Sequence, residues 1–236
     1  MHKTLFLIPF SLSLLGTTAP VFADDWLAQK LAGEVLVSKN GTWVKLKSGD
    51  IVNTSAPIKT MADGQVQFTR DHETIDVSPN SKIQIFDRTG QHYTTVKEAY
   101  GTVRIEANVE NVKHFEVKTP FFAATVKGTI FTVISGKSKS EVVVERGKVM
   151  VDDARQGTHV DVLAGQRASA GQSQNLTITG SGKLGTVVNA VGVPVVKSNA
   201  GSSGNGNGNG NGNAGGNGNG NSGGNGNGNG NGKTKP

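Results

Sequence analysis

Residues 115–151 read FEVKTPFFAATVKGTIFTVISGKSKSEVVVERGKVMV, and their alternation constrains the fold more than any other feature of the chain. Phe115 and Val117 alternate with polar neighbours, as do Phe131 and Val133, Val142 and Val144, and Val149 and Val151. A period of two puts one set of side chains on one face, which describes a half-buried strand and excludes an amphipathic helix. Pro120 ends the first ladder because proline has no N–H to donate. Gly128 interrupts the next apolar stretch and predicts a bulge or a close backbone approach. Ser135–Ser140 reads as a polar turn, and Glu145-Arg146-Gly147 as a short loop with glycine placed for positive φ. A run of hairpins without a catalytic polar cluster predicts a scaffold or a recognition surface.

The same pattern extends in both directions. Strand signals fall at Glu34–Val37, Trp43–Leu46, Ile51–Val52, Val66–Phe68, Ile75–Val77, Ile83–Ile85, Tyr93–Val96 and Val103–Ala107. They resume at His159–Leu163 and Leu176–Ile178. Turn residues separate them at about 8–12 residue intervals, and no long segment has a 3.6-residue period. The expected fold is all-β: a single antiparallel β-sandwich or jelly-roll-like domain with a disordered Gly/Asn-rich C-terminal tail. Residues 24–32, with acidic residues at the start and a partial apolar stripe of Trp26, Leu27 and Leu31, read as a short helical lead-in. The β domain proper is read as 33–168. Residues 169–200 are read as edge strands or a linker, with Gly192 and Pro194 inside the apolar run Thr186–Val196.

Both ends depart in composition. His2-Lys3, an apolar run Leu5–Leu15 and a small residue at Ala23 describe a secretory signal over residues 1–23. The alternative is an uncleaved anchor, but the apolar part is shorter than the roughly 20 residues of a membrane span, so no stable span is expected. Residues 201–232 comprise 16 Gly, 12 Asn, three Ser and one Ala, so nothing there can bury apolar surface to offset ordering. The segment 201–236 is read as a disordered tail, either a passive spacer or an adhesive tract.

The chain has no cysteine, which excludes disulfides, thiolate metal sites and cysteine nucleophiles. A folded body of roughly 170 residues can stand on its core alone. The net charge is +6, with cations scattered along strands and turns and few aromatics, so no nucleic-acid partner is expected. Gly210-x-Gly212-x-x-Gly215 satisfies a dinucleotide pattern but lies in low-complexity sequence without a flanking strand or helix. The histidines at 72, 92, 114 and 159 lack metal-ligand spacing and read as surface or hairpin-edge residues. His72 with Asp71, Glu73 and Asp76, and the pair Asp152-Asp153, read as solvated turns. The expectation is no catalytic residues, no cofactor, no metal and no enzyme activity.

The order F-x-V-x-T-P, A-x-V-x-G-T-x-F, V-x-V-x-x-G-x-V and A-G-Q resembles the FecR domain. It is carried by Phe115, Val117, Thr119, Pro120, Ala124, Val126, Gly128, Thr129, Phe131, Val142, Val144, Gly147, Val149 and Ala164-Gly165-Gln166. Gly49 to Val52 and the spacing of Thr60, Gly64, Val66 and Phe68 also fit, so the resemblance spans roughly 33–168. One departure is Lys127, where the family often shows arginine before Gly-Thr.

The resemblance implies a bacterial protein of the envelope, periplasmic, extracellular or at the cell surface. FecR-type regulators join a cytoplasmic anti-sigma segment and a membrane span to a periplasmic FecR domain. Only the 23 signal residues precede the expected mature chain, which leaves no room for a cytoplasmic helical segment, so the anti-sigma activity is not carried over. The expected role is a non-enzymatic protein-interaction or sensory module with an envelope protein as partner. The alternative is a structural or adhesive envelope or matrix protein, with a polysaccharide as a possible ligand. Candidate interaction residues are Lys137 and Lys139 in the turn Ser135–Ser140, and Gly128 and Thr129. For the last two, backbone geometry and sheet packing are the competing explanation.

Overall fold

Alternation becomes strand pairing in the computed structural model, which describes residues 25–52, 55–88, 91–108 and 112–196. The signal read over 1–23 and the tail read over 201–236 lie outside the described residues. The described chain forms nineteen strands, and no helix is assigned within it.

In chain order the strands are β1 Trp26–Ala32, β2 Val35–Lys39, β3 Thr42–Lys45, β4 Ile51–Val52, β5 Ile58–Thr60, β6 Gln65–Arg70 and β7 Glu73–Val77. Then come β8 Lys82–Asp87, β9 Thr94–Glu106, β10 Phe115–Lys118, β11 Ala123–Val126, β12 Ile130–Ser135 and β13 Lys139–Arg146. The last six are β14 Lys148–Asp153, β15 Thr158–Leu163, β16 Gln166–Gly171, β17 Gln174–Gly180, β18 Val187–Asn189 and β19 Pro194–Val196.

Pairing sorts them into two ladders. The first runs β4-β1-β6-β7-β9-β12-β13-β16-β17. The second runs β3-β2-β5-β8-β9-β10-β11-β14-β15-β18-β19. Every pairing is antiparallel except β9 with β10. From β10 onward the chain lays hairpins alternately on the two ladders, so each grows toward one edge in sequence order. The inward residues of both ladders belong to one hydrophobic core. Trp26 of the first ladder meets Phe115 of the second edge to face, with ring centroids 6.3 Å apart. The fold is all-β, as the alternation predicts.

The shared strand β9 joins the ladders. Thr94–Tyr100 pair with β8, and Gly101–Glu106 pair with β12. The sequence marks two strands here, and the structure makes them one bent strand. Gly101 sits at the bend with φ of +118°, and a Cβ there would lie 2.1 Å from Ser81 Oγ. Only glycine fits a backbone of that shape so close to a neighbour.

The expected helix over 24–32 is absent. Trp26–Ala32 is strand β1, paired with β4 and β6. Trp26 and Ala28 are buried and Leu27 between them is less so, a period of two. The partial helical stripe was too short to compete with a sheet edge that could bury Trp26, because tertiary packing overrides weak local preference. Residues 169–200 contain β17, β18 and β19, and β17 and β19 are the last strands of their ladders. Pro194 opens β19, an edge position where a missing N–H costs no ladder bond.

Candidate functional site

An open groove of about 680 Å³ lies on the outer face of β11, β14 and β15. Strand register explains its lining. Val126 pairs with Val149, and Val149 with Val162, all pointing into the core. The intervening set, Thr125, Met150 and Asp161, lies side by side in register on the outer face and enters the groove. The lead into β10 contributes Lys113, the bend after β11 contributes Lys127, Gly128 and Thr129, and β18 contributes Val188.

Among the described residues its charged groups are Lys113, Lys127 and Lys148 against one carboxylate, Asp161, and the His159 ring also lines it. Lys148 Nζ donates to Asp161 Oδ2 at 2.9 Å between half-exposed side chains. Lys113 Nζ lies 2.9 Å from Met150 Sδ. A second groove of about 450 Å³ adjoins it and shares Thr125 and Met150. Beside that groove Asp153 is fully buried and accepts two guanidinium bonds of 2.9 and 3.2 Å and one backbone N–H bond of 3.1 Å from Arg155, with the guanidinium over the Phe121 ring.

The residues singled out from the sequence divide between two places. Gly128 and Thr129 line the groove. Thr129 is nearly fully buried and donates its hydroxyl to the Lys148 carbonyl at 3.1 Å, tying the bend to the start of β14. Gly147, with φ of +87°, packs so closely that a Cβ there would lie 2.8 Å from the Gly128 carbonyl oxygen. Lys137 and Lys139 are exposed at the turn between β12 and β13. The six residues of β12 separate that turn from Gly128-Thr129, a rise of roughly 20 Å. The structure does not bring the two pairs together.

Sequence reading missed the groove because Lys113, Lys127, Lys148 and His159 are spread over 47 residues with no local motif. Outward alternation in β14 and β15 was the available signal, but it needed the register.

The sequence also misplaced several polar groups. Asp71 and His72 are exposed in the β6–β7 turn as expected, but Glu73 is 2% exposed. Arg70 Nη2 donates to Glu73 Oε2 at 2.8 Å and to Thr94 Oγ1 at 2.6 Å, while Nη1 donates to Asp87 Oδ1 at 2.8 Å. The guanidinium also covers the Trp26 ring at 4.4 Å. Burial pulls the Arg70 pKa down most strongly, but bonds and charges of Glu73 and Asp87 outweigh it and leave it raised. His114, read as a surface or hairpin-edge residue, is wholly buried with Nε2 3.1 Å from Glu73 Oε1. Asp153, read as solvated, is buried against Arg155. Glu73 and Asp153 are held inside by arginines close in the chain, Arg70 and Arg155, and His114 meets Glu73 from a distant part of the chain.

Glu98 differs. It points into the core from β9, and neither carboxyl oxygen has a well-aligned hydrogen-bond partner among the described residues. Burial pushes its carboxyl well above the usual range, opposed only in part by the Ser135 hydroxyl. Among the described residues no group of three or more His, Asp or Glu side chains could hold a metal ion.

Residues 56–150 match the FecR protein family. The chain carries a FecR domain. The match begins just before β5 and ends within β14, so the FecR segment includes Gly128, Thr129, Lys137 and Lys139. Strands β1–β4 and β15–β19 lie outside the match but pair into the same two ladders. The FecR segment therefore supplies one wall of the groove, and β15 and β18 supply the other.

No curated protein matches the chain. Two crystal structures of a candidate anti-sigma factor from Parabacteroides distasonis ATCC 8503 align with 53% of this chain and 59% of that one. The identities are 16% and 15%, and the TM-score is 0.47 in both cases. The chain thus spans about three fifths of the length of those structures. No helix among the described residues is long and apolar enough to cross a membrane.

Proposed function

We propose that this chain is an exported, non-catalytic FecR module of the cell envelope that works by binding another protein, in a sensory or signalling role. The FecR match over 56–150 carries the reading. The signal-like residues 1–23 support export. The groove supports binding: among the described residues it is an open cleft lined by lysine, threonine, glycine, valine and Met150, with His159 and Asp161. The Gly/Asn composition of 201–232 favours a second reading, in which that segment tethers or spaces the domain in a structural or adhesive role.

Photo-crosslinking residues placed at Lys137 and Lys148 in the full chain, expressed in a bacterial host, test this. A discrete protein adduct in the envelope fraction from either position is the expected result. A cytosolic protein that keeps its first residues, or turnover of a substrate by the purified chain, would overturn it.

A further inference from the structure

We propose that the groove between the FecR segment and β15 takes an acidic stretch of polypeptide, a reading that rests on the interaction role above and names the chemistry of the partner. Four observations lead there. The groove, at about 680 Å³, matches ligand clefts of roughly 300–1,000 Å³. Its charged lining among the described residues is three lysines against one aspartate. Among the described residues no Phe, Tyr or Trp lines it, so they offer no aromatic platform for a sugar ring or a base. Its floor includes Met150, a side chain that adapts to varied apolar neighbours.

Asp161 shows how a carboxylate sits there. Its Oδ2 accepts from Lys148 Nζ at 2.9 Å, and both side chains are more than half exposed. An exposed pair of this kind is worth little and exchanges readily, so a glutamate or aspartate from a partner can take the place of Asp161. Recognition must run through side chains, because β11 and β14 already use both backbone edges, with β10, β14 and β15 as neighbours. Asp161 is then an internal competitor that holds the affinity down.

Binding of a fluorescent 20-residue poly-L-glutamate to the full chain, measured by anisotropy at low salt, tests the assignment. Lys127→Glu with Lys148→Glu should weaken binding about tenfold or more. Lys137→Glu with Lys139→Glu makes the same change in net charge at the far turn and should weaken it less than about twofold. Asp161→Asn should tighten binding about twofold or more. Circular dichroism and thermal melting check each fold, and Lys127→Gln with Lys148→Gln replaces the reversal variant if that one does not fold. Equal weakening by the two double variants, absence of binding, or tighter binding of polygalacturonate than of polyglutamate overturns the proposal. If polyglutamate fails while a crosslinker at Lys148 still captures an envelope protein, the acidic ligand falls and the interaction role stands. If no adduct forms from either end, the interaction role falls with it.

Discussion

Arg70 and Asp87 meet across the two ladders: Arg70 Nη1 on β6 lies 2.8 Å from Asp87 Oδ1 on β8. Glu73, Thr94 and Trp26 enclose the same guanidinium, so one cation ties four strands, β6 to β9, and an aromatic core residue together. Replacing Arg70 by Met would leave Glu73 buried without its cation and Asp87 without its closest one. The expected loss is about 3–5 kcal/mol in urea unfolding. Arg70→Met with Glu73→Gln should recover part of it, because the stranded charge is then removed. A loss under about 1 kcal/mol for Arg70→Met would show that the network contributes little.

Glu98 should make stability depend on pH in the opposite sense to a salt-bridged carboxylate. Its folded-state pKa is raised by burial, so the neutral form is favoured in the fold. The contribution is fully present below the unfolded value of about 4.3 and is lost as pH rises through the folded value. The melting temperature of Glu98→Gln minus that of the native chain should therefore become more positive from pH 5 to pH 8. A pH-independent difference would mean that the carboxyl is effectively solvated.

Gly101 should be irreplaceable for two separate reasons, its φ of +118° and its contact with Ser81. Gly101→Ala is expected to cost about 2 kcal/mol or more, seen as a lower denaturation midpoint with an unchanged slope. A cost below about 0.5 kcal/mol would mean that β9 bends elsewhere.

Lys137 and Lys139 project from an exposed turn, so reversing both charges should change stability by no more than about 0.5 kcal/mol. Thr129→Val should cost more, about 1–2 kcal/mol, because it removes the hydroxyl bond to the Lys148 carbonyl inside the sheet. Chemical denaturation compares them directly, and an equal cost would contradict the buried placement of Thr129.

The alternating residues of 115–151 determined by themselves that the chain pairs strands, because a period of two can bury only one face of a sheet. The FecR resemblance was legible for a related reason. Its Gly128-Thr129 and Gly147 mark positions where backbones press together, and such needs are written locally. Tertiary structure alone decided the remainder. Trp26 and Ala28 became strand residues because an edge of the first ladder was there to receive them. Glu73 is buried against Arg70, and His114, far along the chain, is buried against Glu73. The lysines of the groove, far apart in sequence, met only through the register of β11, β14 and β15. Local periodicity fixes which face a side chain takes, but the partner of a charge is set by distance in space, which strand order creates and composition does not.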